Sequence, residues 1–115
     1  MSYDLRLAVK VEGCEKMVDI GEPEYANPTY NLGKMFRACT GWDFKQGEYY
    51  NCAVVIGNIE RGIRELRTRS SEYKCLEPDN GWGTINGAIA ALDSLRAYIY
   101  TRAEDIPIEC LWVAW

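Results

Sequence analysis

The sequence predicts an α+β domain in which a small antiparallel sheet packs against about three helices, in the order ββαααβ. Two observations support this fold class: apolar and polar residues alternate strictly near the N-terminus, and three later segments carry apolar residues at helical spacing. The chain has 115 residues, of which 48% are hydrophobic and 26% charged, as is typical of one folded domain. We therefore expect residues 1–115 to form a single domain.

The sheet is predicted to consist of an N-terminal hairpin and a C-terminal strand. Residues 3–12 alternate in the pattern of a strand with one buried face. Gly13 can turn the chain into a second short strand around residues 16–20. Residues 106–115 indicate a last strand that is apolar on both faces and pairs with the first strand in the middle of the sheet.

The first helix is predicted from its end signals. Asn27 fits an N-cap, Pro28 fits the first helical position, and Gly41 fits the residue that closes the helix. The segment 42–50 that follows mixes aromatic and polar residues without a clear period. We expect this segment to be an irregular connection.

Two longer helices follow. Residues 51–69 place apolar side chains at spacings of three and four, which predicts an amphipathic helix that Gly57 and Gly62 weaken unless a close neighbour needs the space. Thr84 fits the N-cap of a helix that ends near residue 103. Between them, the turn-forming residues of segment 70–83 predict a loop.

The charge balance excludes some classes of partner. A formal net charge of −4 argues against a dedicated nucleic-acid binder, which needs clustered lysine and arginine. It leaves open an acidic surface that docks on a basic partner. No segment reaches the roughly 20 apolar residues of a membrane span, and the N-terminus lacks the basic and apolar regions of a signal peptide. We expect a cytoplasmic protein that does not enter a membrane.

Catalytic and metal-binding signatures are missing from the sequence. It contains no histidine, and therefore no Ser-His or Cys-His nucleophile pair, and it has no phosphate-binding glycine loop. We expect no catalytic residue, metal or cofactor. The least ordinary carboxylates are Asp43 and Asp79, in aromatic and glycine-rich segments. The five cysteines form no Cys-x-x-Cys pair, and we expect four or five of them to be buried, reduced thiols.

An arginine row on the middle helix allows two interpretations. Arg61, Arg64 and Arg67 recur at every third position and would suit a small anion site. Glu60 and Glu65 interleave with them. A solvated helix face with local ion pairs is therefore the favoured interpretation.

The candidate binding site is a set of aromatic and amide residues. Aromatic rings supply stacking faces, and asparagine supplies both donors and acceptors, which suits a pocket for a flat polar ligand or a protein hot spot. The set is Tyr30, Asn31, Trp42, Tyr49, Asn80 and Trp82. A purely structural role is the alternative: Asn80 can form a turn, Trp82 can fill the core, and Asn31 can hydrogen-bond a loop.

A second candidate surface is the C-terminal strand. Because this strand is apolar on both faces, the face away from the helices needs another layer or a partner subunit. The predicted interface residues are Leu111, Trp112, Val113 and Trp115. A homodimer is one expected outcome.

Several motifs resemble a widespread group of small bacterial and phage proteins of unknown function. The resemblance covers roughly residues 20–103 and rests on Pro-Thr-Tyr-Asn-Leu at 28–32 with Met35, Ile-Glu-Arg-Gly-Ile at 59–63, Tyr73, and Asn-Gly-Trp-Gly-Thr at 80–84. It implies an intracellular protein carried by phages or prophages, and it implies no activity. The tail rich in cysteine and tryptophan and the aromatic connection depart from the pattern.

The sequence thus favours a non-enzymatic, phage- or prophage-encoded binding protein. It would inhibit a host defence factor by docking on a protein or by sequestering a nucleotide signal. An alternative is an immunity or antitoxin-like protein that neutralises a basic toxin. A minor alternative is a histidine-free hydrolase that uses Asp43, Asp79 or an arginine.

Overall fold

The computed structural model describes residues 3–24, 28, 30–41, 48–78, 81 and 83–114. Its strands and helices, in chain order, are β1 (Arg6–Val9), β2 (Val18–Gly21), α1 (Gly33–Thr40), β3 (Tyr49–Asn51), α2 (Cys52–Thr68), α3 (Ser70–Tyr73), α4 (Ile85–Ala103) and β4 (Leu111–Ala114). Short 3-10 turns precede α1, follow α3 and precede β4, at Tyr30–Leu32, Lys74–Leu76 and Ile108–Cys110. The predicted α+β class is confirmed.

The strands form one antiparallel sheet in the order β2-β1-β4-β3. The predicted pairing of the first and last strands is confirmed, because Leu7 stands opposite Val113 and Ala8 opposite Trp112. Strand β3 was not predicted: its first two residues lie in the segment that we expected to be irregular, and its last, Asn51, is the first residue of the predicted helix 51–69. This strand pairs with β4. A strand of three residues is too short to show a readable alternation.

The first helix begins later than its sequence signals predict. Its first residue is Gly33, and the carbonyl of Pro28 instead accepts the backbone N–H of Tyr3 at 2.8 Å. The predicted N-cap, Asn27, lies outside the described residues. The predicted end is confirmed: Gly41 adopts φ 74° and donates its N–H to the carbonyl of Arg37.

Both long helices are capped by polar side chains. Asn51 accepts a hydrogen bond from the N–H of Ala53 at 2.9 Å, and Thr84 accepts one from the N–H of Gly87 at 3.0 Å. The predicted end of α4 at Ala103 is also confirmed. The segment predicted as a loop after α2 contains α3, which has four residues and is too short to show a helical period.

One hydrophobic core lies between the helices and one face of the sheet. Leu7, Leu111 and Val113 supply its sheet side and are fully buried. The helices pack closely at Gly62, where an added Cβ would stand 2.6 Å from Cγ2 of Thr40. This glycine therefore allows α2 to approach α1.

Candidate functional site

The structure describes two members of the predicted aromatic and amide set, and part of a third. Asn31 is exposed in the 3-10 turn before α1, and Tyr49 is exposed on the edge strand β3. The backbone of Tyr30 lies in the same turn as Asn31. Trp42, Asn80 and Trp82 lie outside the described residues. Whether the whole set forms one pocket therefore stays a prediction.

Asn31 lines a cleft of about 530 Å³, which we call the α1 cleft. Its lining on α1 and the preceding turn includes Asn31, Lys34 and Arg37, and its lining on the segment after α3 includes Leu76, Glu77 and Pro78. Tyr49 is not among the described lining residues. Asn31 and Tyr49 thus belong to two separate surfaces.

The described lining of the cleft contains no residue of the turn that precedes α4, but Gly83 of that turn approaches the start of α1. At Gly83 an added Cβ would stand 3.1 Å from Cδ2 of Leu32 and 3.4 Å from Cδ of Pro78. The backbone of the turn therefore packs directly against the entry of α1. Gly83 also adopts φ +153°, so a larger residue there would be strained.

Lys34 and Arg37 are cleft residues that the sequence reasoning missed. Both are exposed, and they stand three positions apart on α1, so they lie on the same side of that helix. The signal that could have identified them is the charge pattern of α1, whose first turn contains no acidic residue. Helices normally place acidic residues there.

The second surface is the face of the sheet that points away from the core. Directly opposed residues of an antiparallel sheet share one face, and the strand register therefore defines the outer sheet face as Arg6, Ala8, Asp19, Tyr49, Asn51, Trp112 and Ala114. Tyr49 is 49% exposed, and Trp112 is half-buried. Two of the four predicted interface residues, Leu111 and Val113, are fully buried and face the core. Trp115 lies outside the described residues. Trp112 is therefore the described interface residue that a partner can reach.

Ala8 shows how Trp112 lies on this face. Ala8 is only 3% exposed, yet it does not belong to the hydrophobic core cluster. Trp112 stands directly opposite Ala8 in the register and is also outside the cluster and its packed neighbours. Ala8 and Trp112 thus share the outer sheet face and lie outside the core cluster.

A group of carboxylates surrounds Arg6 at one end of the outer sheet face. The guanidinium contacts Asp19 at 2.7 Å, Asp4 at 3.1 Å and Glu22 at 3.9 Å. The side-chain hydrogen bond from Arg6 is the main reason that the pKa of Asp19 lies below its ordinary value, and the backbone N–H of Gly21 adds to it. Three carboxylates around one cation leave this end of the face acidic.

The arginine row of α2 is divided between ion pairs and exposed side chains. Arg67 pairs with Asp93 at 3.2 Å, while Arg69, beyond the row, pairs with Glu65 and Glu72. Arg64 is exposed on the same helix. The ion pairs agree with the favoured interpretation of a solvated helix face, and an anion site along the row is not indicated.

The cysteines differ from the expected pattern of burial. Cys39 and Cys52 are buried, and this burial raises the pKa of the Cys39 thiol to about 11 and that of Cys52 to about 12. Cys14, Cys75 and Cys110 are free and exposed, so the expectation of four or five buried thiols is wrong. Three of the cysteines lie in turns or segment ends, where an apolar residue type has no core to enter.

The described residues hold no cluster of three or more histidine, cysteine or acidic side chains arranged for a metal ion. Within the same ranges, no helix is both long enough and apolar enough to cross a membrane. Comparison of the chain with protein-family models, curated proteins and solved structures gave no match. The resemblance to phage and bacterial proteins therefore rests on the sequence motifs alone.

Proposed function

We propose that this chain is a non-enzymatic binding protein that docks on a basic surface of another protein through its outer sheet face. In keeping with the motif resemblance, the proposal includes a phage or prophage origin and the inhibition of a host factor, such as a defence protein. The observation that carries it is the presence of two aromatic side chains, Tyr49 and Trp112, on a face outside the core cluster.

The chemistry of these side chains suits a protein contact. Tyrosine and tryptophan are enriched among the residues that dominate binding energy at interfaces, because each buries a large area at little cost in rotamer entropy. Tyr49 stands opposite Ala114, whose small side chain leaves the ring accessible from above the sheet. An aromatic residue of a partner, or an apolar pocket on it, would fit over Tyr49 and Ala114.

The charge of the surface indicates the sign of the partner. Asp4, Asp19 and Glu22 outnumber Arg6 at one end of the face, and Glu48 precedes Tyr49 at the opposite edge of the sheet. A basic partner would be steered towards this surface and held in register by the carboxylates. An immunity or antitoxin-like protein that neutralises a basic toxin would use the same complementarity, and a neighbouring toxin gene would favour that version.

The test is site-specific crosslinking in host cells. A photoreactive amino acid is placed at Tyr49, and a matched control is placed at Val54, which is 64% exposed on α2. We expect one crosslinked host protein from position 49 and none from position 54. Equal products from both positions would contradict the proposal, and a product of twice the mass of the chain would assign the face to a homodimer instead.

The captured protein must then pass a binding test. We expect Tyr49→Ala and Trp112→Ala to weaken its affinity at least tenfold, with Val54→Ala close to wild type, and we expect affinity to fall as salt is raised. Melting temperatures of the variants separate a lost contact from a lost fold. If neither aromatic substitution weakens binding while both variants remain folded, the proposal is wrong.

A further inference from the structure

We propose that three side chains close the edge of β2 against a second strand, and that β2 pairs with β2 of another copy of the chain when they are removed. We call these side chains the edge lock; they are Asp19, Tyr98 and Arg102. The edge lock is a contact within one molecule that keeps a strand-pairing surface closed. It acts on the edge of the sheet and not on its outer face, so it does not depend on the docking of a basic partner.

Strand β2 is an edge of the sheet. In the strand order β2-β1-β4-β3, it has a neighbour among the described strands on one side only. An edge strand presents backbone N–H and C=O groups that can pair with a strand of another molecule. Val18 in this strand is 42% exposed, and an exposed apolar side chain at a strand edge favours association. A second strand would therefore find a partner here unless the edge is covered.

The ladder between β1 and β2 is interrupted at Ile20. The register pairs Asp19 with Ala8. It then pairs Gly21 with Leu7, so Ile20 has no partner residue on β1. A β-bulge of this kind leaves the extra residue unpaired and disrupts the ladder locally. The peptide group between Ile20 and Gly21 is therefore the point of β2 where other groups can take the backbone hydrogen bonds.

The edge lock takes up both polar groups of that peptide. The carbonyl oxygen of Ile20 accepts hydrogen bonds from the hydroxyl of Tyr98 at 3.4 Å and from Nη2 of Arg102 at 3.3 Å. The N–H of Gly21 donates to Oδ1 of Asp19 at 2.9 Å. A carbonyl oxygen has two lone pairs and an N–H group has one hydrogen, so neither group is left for a second strand.

Gly21 allows Tyr98 to reach the strand. An added Cβ on Gly21 would overlap the hydroxyl of Tyr98, and Gly21 adopts φ +128°, a conformation that residues with a side chain rarely adopt. The guanidinium of Arg102 lies 6.0 Å from the centre of the Tyr98 ring, within the range of a cation–π contact. The two donors on α4 thus support each other at the edge of β2.

The position of Arg102 carries a cost to the fold. Its Nε is buried and has no hydrogen-bond partner within the described part of the chain. A buried donor without a partner lowers stability. Such a cost is expected where a side chain serves another purpose, and here Nη2 of the same guanidinium covers the carbonyl of Ile20.

A second copy of the chain is the partner that fits an opened β2 edge. Residues 16–19 carry one lysine and one aspartate, so two copies meet here without the repulsion that the net charge of −4 produces elsewhere. Two copies related by a two-fold axis place the same residue opposite itself, and Val18 would then cover Val18 of the other copy. In this antiparallel arrangement, Lys16 of each copy lies on the side of Val18 where the other copy has Asp19.

The first test is analytical ultracentrifugation of a variant that opens the edge lock. Tyr98→Phe combined with Arg102→Met removes both donors to the carbonyl of Ile20 and keeps most of the side-chain volume. Because a hydrogen bond to a charged group contributes enough for roughly a tenfold change in an equilibrium constant, we expect this double variant to associate at concentrations at least tenfold lower than the wild type. A folded double variant that associates no more than the wild type up to millimolar concentration would overturn the proposal.

A matched control changes the same residue types elsewhere on α4. Tyr100→Phe combined with Arg96→Met removes one hydroxyl and one guanidinium, but the hydroxyl of Tyr100 donates to Oε1 of Glu60 and not to β2. Association of the control should stay close to that of the wild type, and an equal increase in both double variants would refute the edge lock. If melting curves show that the first double variant is unfolded, Tyr98→Phe alone is tested, since it removes a single oxygen atom and should still increase association.

Photocrosslinking of the purified protein locates the new interface. A photoreactive amino acid is placed at Val18 in the Tyr98→Phe, Arg102→Met variant, and a matched one at Val54, which is 64% exposed on α2. We expect a covalent dimer from position 18 and none from position 54, with much less dimer from position 18 when the edge lock is intact. A dimer formed equally from both positions would contradict the proposal. No host protein is present in this assay, so its outcome is independent of the docking of a basic partner.

Discussion

Replacing each of two glycines of α2 by alanine should have different effects on the free energy of unfolding. Gly57 and Gly62 both lie inside the helix, where glycine costs about 0.8–1.0 kcal/mol relative to alanine. An added Cβ at Gly57 meets no atom within 4 Å, so Gly57→Ala should increase the free energy of unfolding by nearly that amount. At Gly62 the same Cβ would stand 2.6 Å from Cγ2 of Thr40 and 3.3 Å from Cδ1 of Leu92.

The cost at Gly62 depends on whether its neighbours can move. Thr40 is fully buried, and its hydroxyl donates to the carbonyl of Phe36 at 2.6 Å, so rotation of its side chain would break a buried hydrogen bond. Overpacking of this kind costs about 1–3 kcal/mol. Because the helix-propensity gain is common to both alanine variants, the difference between them should equal that packing cost.

Thermal unfolding of the two variants measures this difference. An entropy of unfolding of about 2.1 cal/mol/K per residue implies about 4 °C per kcal/mol for a chain of this length, so Gly57→Ala should melt about 4–12 °C above Gly62→Ala. Chemical denaturation with an unchanged m-value would confirm that stability alone has changed. If Gly62→Ala is stabilised as much as Gly57→Ala, the close approach of α1 and α2 is wrong.

Three further predictions concern a cap, an acid and the thiols. Thr84→Ala should lower the free energy of unfolding by about 1 kcal/mol through loss of the α4 cap, while Thr84→Ser retains most of it, as measured by urea unfolding. Arg6 lowers the pKa of Asp19 in the folded state, so the stability that Asp19 contributes is present above its unfolded-state pKa of about 3.9 and is lost as the pH falls through its folded-state pKa. The free energy of unfolding of Asp19→Asn should therefore depend less on pH below about pH 4 than that of the wild type. At pH 8, a thiol reagent should modify the three exposed cysteines of the native protein, and Cys39 and Cys52 only after unfolding; a fourth fast thiol would contradict the burial.

The elements with strong local signals could be predicted from the sequence. Thr84 and Gly41 mark helix ends because the hydrogen bonds that they make lie within a few residues. The start of α1 could not be predicted in this way, since the carbonyl of Pro28 is taken by Tyr3, far away in the sequence. Strand β3 is likewise defined by its pairing with β4 and not by its own three residues.

The candidate sites were predicted less completely than the fold. Asn31 was identified as part of the aromatic and amide set, and Trp112 because its strand is apolar on both faces. In the structure Asn31 is exposed and Trp112 is half-buried. Lys34 and Arg37 were missed because a lysine and an arginine on a helix ordinarily indicate only solvation. The other lining residues of the cleft, among them Glu77, approach α1 only in the folded chain.

A net charge describes this protein poorly, because the fold separates its charges. Carboxylates gather around Arg6 beside the outer sheet face, while the cations Lys34 and Arg37 gather at the α1 cleft. Neither arrangement is what stability of the isolated chain would favour: a lysine opposes the dipole of α1, and aromatic rings are left on the open face of the sheet. An arrangement that costs stability persists where a ligand or partner compensates it. At the outer sheet face, we propose that a basic partner protein does so.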